Sequence, residues 1–206
     1  MILTQKQEEG LKIAVSRHRA HEKYTVIAGY AGTGKSTLVK FIIEALDVAH
    51  SKVCYATFTG KAAQVLAKKG NKNSMTLHKL LFDSIPKPAG GFYRRPKEVL
   101  DYTVVVVDEV SMAPKSIMDL LFTHNVYVIC LGDPFQLPPI SKEEDNHLLD
   151  NPHIFLDEIM RQAKESSIIR LTMDIREQKP LSFIKDEQIQ ILPEKELNTS
   201  MLTWAD

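Results

Sequence analysis

Short apolar runs punctuate the chain: Tyr24 to Ala28, Lys52 to Thr57, Thr103 to Val107, Val126 to Leu131 and Ile154 to Leu156. Each is rich in β-branched residues and stops on small or polar ones, as buried strands do. Between the runs the apolar positions recur at helical spacing. Leu11, Ile13, Ala14 and Val15 form one side of a helix from Leu3 to Arg19, opened by Thr4. Leu38, Phe41, Ile42 and Leu46 follow the first strand, and Ile168, Leu171, Thr172 and Ile175 mark a helix near Glu165 to Gln178 that Pro180 stops. Strands alternating with helices in this way predict an α/β fold, a mainly parallel sheet with helices on both faces.

Punctuation residues refine this pattern. Thr59 is placed to cap a short helix from Gly60 to Gly70, with Gly70 in its C′ position, and Thr76 opens a further helical turn to Leu81. From Asp83 to Asp101 the periodicity fails: the stretch holds three prolines and two glycines, and is expected to be a long loop. Phe92 and Tyr93 stand there beside Arg94 and Arg95, a mixture suited to stacking on bases and pairing with phosphates, and equally compatible with a solvated loop. Asn146, His147 and His153 have no neighbours at ligand spacing and read as surface residues. The stretch after Pro180 shows no closing element.

Chemistry enters between the first strand and its helix. Gly29-Tyr-Ala-Gly-Thr-Gly-Lys-Ser-Thr37 carries the full G-x-x-x-x-G-K-[ST] phosphate-binding pattern in its required strand–loop–helix context. Gly29, Gly32 and Gly34, with Ala31 and Thr33 between them, let successive backbone N–H groups turn inward toward a triphosphate. The start of the helix at Lys35, Ser36 and Thr37 adds its partial positive charge. Lys35 is expected to reach the β and γ phosphates and Ser36 to be a Mg²⁺ ligand. The cofactors implied are ATP and Mg²⁺.

A second constellation changes binding into hydrolysis. The run Thr103 to Val107 ends on Asp108 and Glu109: the first carboxylate suits Mg²⁺, and the second suits orientation and deprotonation of an attacking water. The next strand delivers Gly132-Asp-Pro-Phe-Gln-Leu-Pro-Pro139, whose Gln136 can donate to a phosphate oxygen. Thr59, Gly60 and Lys61 sit at a helix start on the same expected rim, where capping alone and a nucleic-acid phosphate contact explain them about equally well. Gln7, taken alone, reads as a solvated residue of a surface helix.

Composition narrows the partners. Lys+Arg and Asp+Glu are both 26 in 206 residues, so no global basic field announces nucleic acid, and any contact with it needs a local strip. Cys54 and Cys130 both fall inside expected buried strands, which fits a reducing compartment and offers neither disulfide framework nor metal spacing. MILTQKQEEG is too polar for a signal peptide and no apolar run approaches the roughly 20 residues of a membrane span, so a cytoplasmic protein without membrane contact is expected.

Taken together, GYAGTGKST, ATFTGKAAQVL, VVVVDEVSM, LGDPFQLPPI and LDEIMRQ, in this order, resemble the superfamily 1B DNA helicases of the RecD and Dda type. The resemblance runs from Leu3 to about Pro180 and implies the family's first RecA-like motor domain. It implies that Gln7, in LTQKQ, reads the adenine edge, that Gln136 senses the γ-phosphate, and that Arg161 pairs with it. It further implies single-strand contacts from Thr59, Gly60 and Lys61, and from Thr76 and His78 in the TLH segment. Residues 83–101 fall where the family inserts its small 1B subdomain, with Phe92 and Tyr93 as candidates for a wedge or stacking role. The motor domain is then expected over 1–82 and 102–180, with 181–206 a tail leading toward a second RecA-like domain that completes the ATP site.

Three functions compete on these residues. The first is the ATP-driven motor domain of a 5′→3′ DNA helicase acting on single-stranded DNA, monomeric, and unable to unwind without its second domain. The second is a short ATP-binding regulator that captures a strand or a partner. The third, a nucleotide kinase, is opposed by the Asp108-Glu109 pair and the lack of an arginine-rich lid segment.

Overall fold

Val104–Val107 explains the architecture: alternate side chains of one strand are buried on opposite faces, Val104 and Val106 in one apolar cluster, Val105 and Val107 in another. A strand with two buried faces needs a helix layer on each side. In the computed structural model, residues 3–88, 90–136, 144–158, 167–176, 179, 184–185 and 189–191 are described. They divide into two units, 1–30 with 34–157, and 31–33 with 158–206.

The first unit begins with α1 (Gln5–Arg19), β1 (Tyr24–Gly29), α2 (Lys35–Ala45), β2 (Val53–Thr57) and α3 (Gly60–Lys68). It continues through β3 (Ser74–Thr76), α4 (Leu77–Leu81), β4 (Phe82–Pro86), β5 (Phe92–Pro96) and β6 (Val104–Val107). A short 3₁₀ turn (Val110–Met112), α5 (Lys115–Thr123), β7 (Tyr127–Gly132) and β8 (Ile154–Leu156) complete it. The six-stranded sheet has the order β3-β2-β6-β7-β1-β8. Every pairing in it is parallel. All strands therefore end on one rim, where open α/β sheets hold ligands.

One face carries α1 and α2, with Leu38, Val39 and Ile42 packed on Ile27, Val106 and Ile129. The other carries α4 and α5, with Leu80, Met118 and Leu121 packed against Cys54, Val105 and Cys130. The Tyr127 hydroxyl donates to the Ala14 carbonyl (2.9 Å) and accepts from Thr25 (2.6 Å), which fastens α1 to β1 and β7. At Gly10 an added Cβ would lie 2.9 Å from Ile154 Cγ2, so glycine permits α1 to approach β8.

Several expectations need correction. The stretch 83–101 is not an unpatterned loop, because β4 and β5 form an antiparallel hairpin in which Ser84 pairs with Arg94 and Pro86 with Phe92. Gly90 and Gly91, both at positive φ, make its turn, Pro88 lies in that turn, and Pro86 and Pro96 lie at strand ends where no ladder donor is needed. His153 and Asn146 are not idle surface residues. His153 Nδ1 accepts from the Val26 N–H (2.9 Å) just before β8 begins, and the Asn146 amide donates to the carbonyls of Val110 and Ala113. The edge strand β3 was also unforeseen. In the second unit, α6 (Ser167–Arg176) lies within the expected 165–178, and the tail carries an antiparallel pair, β9 (Ile184–Lys185) with β10 (Gln190–Ile191).

Candidate functional site

The glycine-rich loop owes its shape to left-handed backbone at Gly32 (φ 78°) and Gly34 (φ 82°), conformations that cost other residues about 1 kcal/mol or more. Gly34 caps α2 without a side chain, so no cap side chain competes with an anion at the start of that helix. Lys35 folds back: its Nζ donates to the carbonyls of Gly29 (2.6 Å) and Tyr30 (2.9 Å). The ammonium is thus held at the rim by neutral acceptors. Ser36 and Thr37 follow on the first turn of α2, with Ser36 exposed.

Asp108 is pinned by its backbone, whose N–H donates to Ala56 O (2.9 Å), while its Oδ1 accepts from the Glu109 N–H (3.0 Å). That local bond accompanies a left-handed backbone at Glu109 (φ 54°, ψ 45°), strained for a residue with a Cβ. Both carboxylates stand half-buried past the end of β6. A cavity of about 110 Å³ is lined by Ser36 and Asp108 together, over Val39, Val106 and Leu131. A hydroxyl and a carboxylate facing one small cavity form a hard-oxygen donor set, which fits Mg²⁺ completed by phosphate and water.

On the neighbouring strand end, Gly132 admits no larger side chain without displacing Leu149, whose Cδ1 would lie 2.7 Å from an added Cβ. Asp133 is 1% exposed and shapes the following turn, its Oδ1 accepting from Phe135 N (3.0 Å) and its carbonyl from Gln136 N (3.0 Å). Gln136 is thereby delivered exposed to the rim. Sequence reasoning passed over Asp133, although an Asp before Pro is a recognised turn opener. It also passed over Tyr30, whose ring meets Phe135 and Phe155 at centroid distances of 5.7 and 5.6 Å.

Gln7 is not solvated. It is 1% exposed and forms a capping box with Thr4, its Oε1 accepting from Thr4 N (3.1 Å) and its own N–H donating to Thr4 Oγ1 (3.3 Å). Arg161 lies outside the described residues.

The nucleic-acid candidates divide into two groups. Thr59 caps α3, its Oγ1 accepting from Ala62 N (3.3 Å), and Thr59 and Lys61 share a cavity of about 300 Å³ with Asp108 and Glu109. Gly60 at the start of α3 has open space around it. Thr76 caps α4, accepting from Lys79 N, and His78 lies between the rings of Phe58 and Phe82 at 5.7 and 6.0 Å. Burial, and then the charge of Arg94, lowers the His78 pKa, so the ring is neutral at pH 7. This aromatic row joins the segment before α3 to the base of the hairpin, and Phe58 is a member the sequence pattern did not single out. On β5, Phe92 is 68% and Tyr93 45% exposed.

An AAA domain family model matches residues 3–194. The ATP-dependent DNA helicase Dda of Enterobacteria phage T4 is 31% identical over 150 residues, covering 69% of this chain and 34% of its own. The ATP-dependent RecD2 DNA helicase of Deinococcus radiodurans is 32% identical over 156 residues, covering 73% of this chain and 21% of its own. The chain therefore spans about a third of Dda and about a fifth of RecD2. A chain from the structural study of DNA unwinding at forked dsDNA by two coordinating Pif1 helicases shares the fold, with a TM-score of 0.59 at 24% identity, over 92% of this chain and 53% of that one. With the phosphate loop, the paired carboxylates and the parallel sheet in place, the chain belongs to the AAA domain family, as a helicase-type domain homologous to Dda and RecD2.

Proposed function

We propose that this domain binds and hydrolyses ATP as the first RecA-like motor domain of a 5′→3′ helicase acting on single-stranded DNA. The observation that carries the hydrolytic part is the shared cavity of Ser36 and Asp108, with Glu109 at the adjoining one. Lys35 leaves its two carbonyl acceptors for the β and γ phosphates, and the N–H groups at the start of α2 donate to the same oxygens. Ser36 and Asp108 would hold Mg²⁺, which would neutralise part of the phosphate charge. Glu109 orients a water and accepts its proton as the water oxygen bonds to phosphorus and the bond to ADP breaks. Gln136 contributes a neutral donor, and Arg161 a positive one, to the γ-phosphate. Gln7 reads the adenine edge, in addition to capping α1 with Thr4.

For the DNA reading, support comes from the cavity that joins Thr59 and Lys61 to the carboxylates, and from the two relatives, both ATP-dependent DNA helicases. The hairpin serves as the 1B element, with Phe92 and Tyr93 exposed for stacking. Helicase work needs a second RecA-like domain to close on the nucleotide and shift its grip on the strand, so this domain alone turns over slowly and does not separate duplexes. The test is phosphate release from ATP with and without single-stranded DNA. Stimulation by DNA, lost in Lys35→Ala and Glu109→Gln, is expected; transfer of the phosphate to a nucleoside monophosphate contradicts the motor.

A further inference from the structure

We propose that the groove between α2 and α3 is the exit path, and a holding site, for inorganic phosphate formed beside Asp108 and Glu109; this rests on the hydrolytic reading above. Lys69, the exposed C-cap residue of α3, lines three adjoining cavities. One is the cavity of Ser36 and Asp108, about 110 Å³, and the second is that of Thr59, Lys61 and Glu109, about 300 Å³. The third, about 630 Å³, runs past the start of β2 and is lined by His50, Lys72 and Asn73 among others. Lys40, Tyr55 and Asn71 line both the first and the third. A route flanked by lysines thus leads from the carboxylates, past Lys69, to a wide mouth at the far end of β2.

Its charge suits a small anion. Lys40, Lys69 and Lys72 line the third cavity against one carboxylate, Glu44, and among the described residues none of the three lysines forms an ion pair. The narrow end has room for a few waters or one phosphate and excludes a nucleotide or a strand. Phosphate released next to Asp108 and Glu109 is repelled by them, and the Lys69 ammonium, on its flexible stem, reaches both cavities those carboxylates line. The apolar wall of Val39, Val106 and Leu131 strengthens that attraction by excluding water.

The experiment is a ¹H–¹⁵N NMR titration of the ADP-bound chain with inorganic phosphate. The amide signals of Tyr55, Lys69 and Asn71 are expected to move and saturate. Lys69→Glu is expected to weaken phosphate binding about tenfold or more, the loss of one charged contact, at unchanged ADP affinity. Lys40→Gln, on the opposite wall, shifts phosphate affinity in the same direction and covers the case in which Lys69→Glu perturbs α3. Phosphate shifts confined to Gly29–Thr37, or equal phosphate affinity in both variants and the parent, overturn the exit path alone. A parent chain that binds no ADP overturns the hydrolytic reading and the exit path with it.

Discussion

Gln7 and Thr4 hold one another reciprocally: the Gln7 side chain accepts from the Thr4 backbone N–H, and the Thr4 hydroxyl accepts from the Gln7 N–H. The proposed adenine reader is therefore also the N3 residue of a capping box, and its two roles can be separated. Thr4→Ala removes the cap hydroxyl and is expected to lower stability by about 1 kcal/mol, leaving the preference for ATP over GTP intact. Gln7→Ala is expected to lower stability by a similar amount and to erase that preference. Urea unfolding and competition between the two nucleotides measure both effects.

The two free glycines of the helices should respond oppositely to alanine. At Gly10, in α1, the new methyl meets Ile154 Cγ2 at 2.9 Å, a branch held on a stiff strand residue. Overpacking of about 1–3 kcal/mol outweighs a helix-propensity gain of about 1 kcal/mol, so Gly10→Ala is destabilising. Gly60, first in α3 with nothing nearby, gains a few tenths to about 1 kcal/mol on the same change. Paired thermal unfolding of the two variants checks the sign.

Acid should loosen the β1–β8 edge. His153 accepts from Val26 N–H through Nδ1, which requires a neutral ring there, and burial together with the Arg17 charge lowers its pKa below the ordinary 6.5. The unfolded chain then binds the proton more readily than the folded one, so this stability is fully present above pH 6.5 and is lost as pH falls through the lowered folded value. His18, His78 and His124 are lowered as well and act in the same direction. Urea midpoints are expected to fall from pH 7 to pH 5, less steeply in His153→Gln.

Both thiols should be inert in the native state. Burial pushes Cys54 up to about 12 and Cys130 higher still, so neither offers thiolate near neutrality. Ellman's reagent is expected to label neither residue until denaturant is added, when it labels both.

What could be read from residues alone follows from how each element is held. Strands buried on two faces, such as Val104–Val107, must be apolar throughout and announce themselves. Ser74–Thr76 did not, because an edge strand of half-buried residues needs only backbone pairing with β2. Nor did β5, exposed at every position and set by register and the Gly90–Gly91 turn. At the site, the glycine loop and Asp108-Glu109 were legible because the chemistry dictates the residue types, and parallel strands bring their ends together without further instruction. Asp133 and the burial of Gln7 were less so: an Asp before Pro and a Thr-x-x-Gln spacing mark a turn and a helix start but do not say that the side chain is buried.

The account is tested most directly by titrating MgATP onto three forms of the chain and measuring turnover in each. Asp108→Asn is expected to weaken MgATP binding about tenfold or more, as loss of a charged ligand should. Glu109→Gln is expected to bind MgATP as the parent does and to lose turnover about a hundredfold or more. Equal binding and equal turnover in all three would contradict the assignment of these two carboxylates to metal and water.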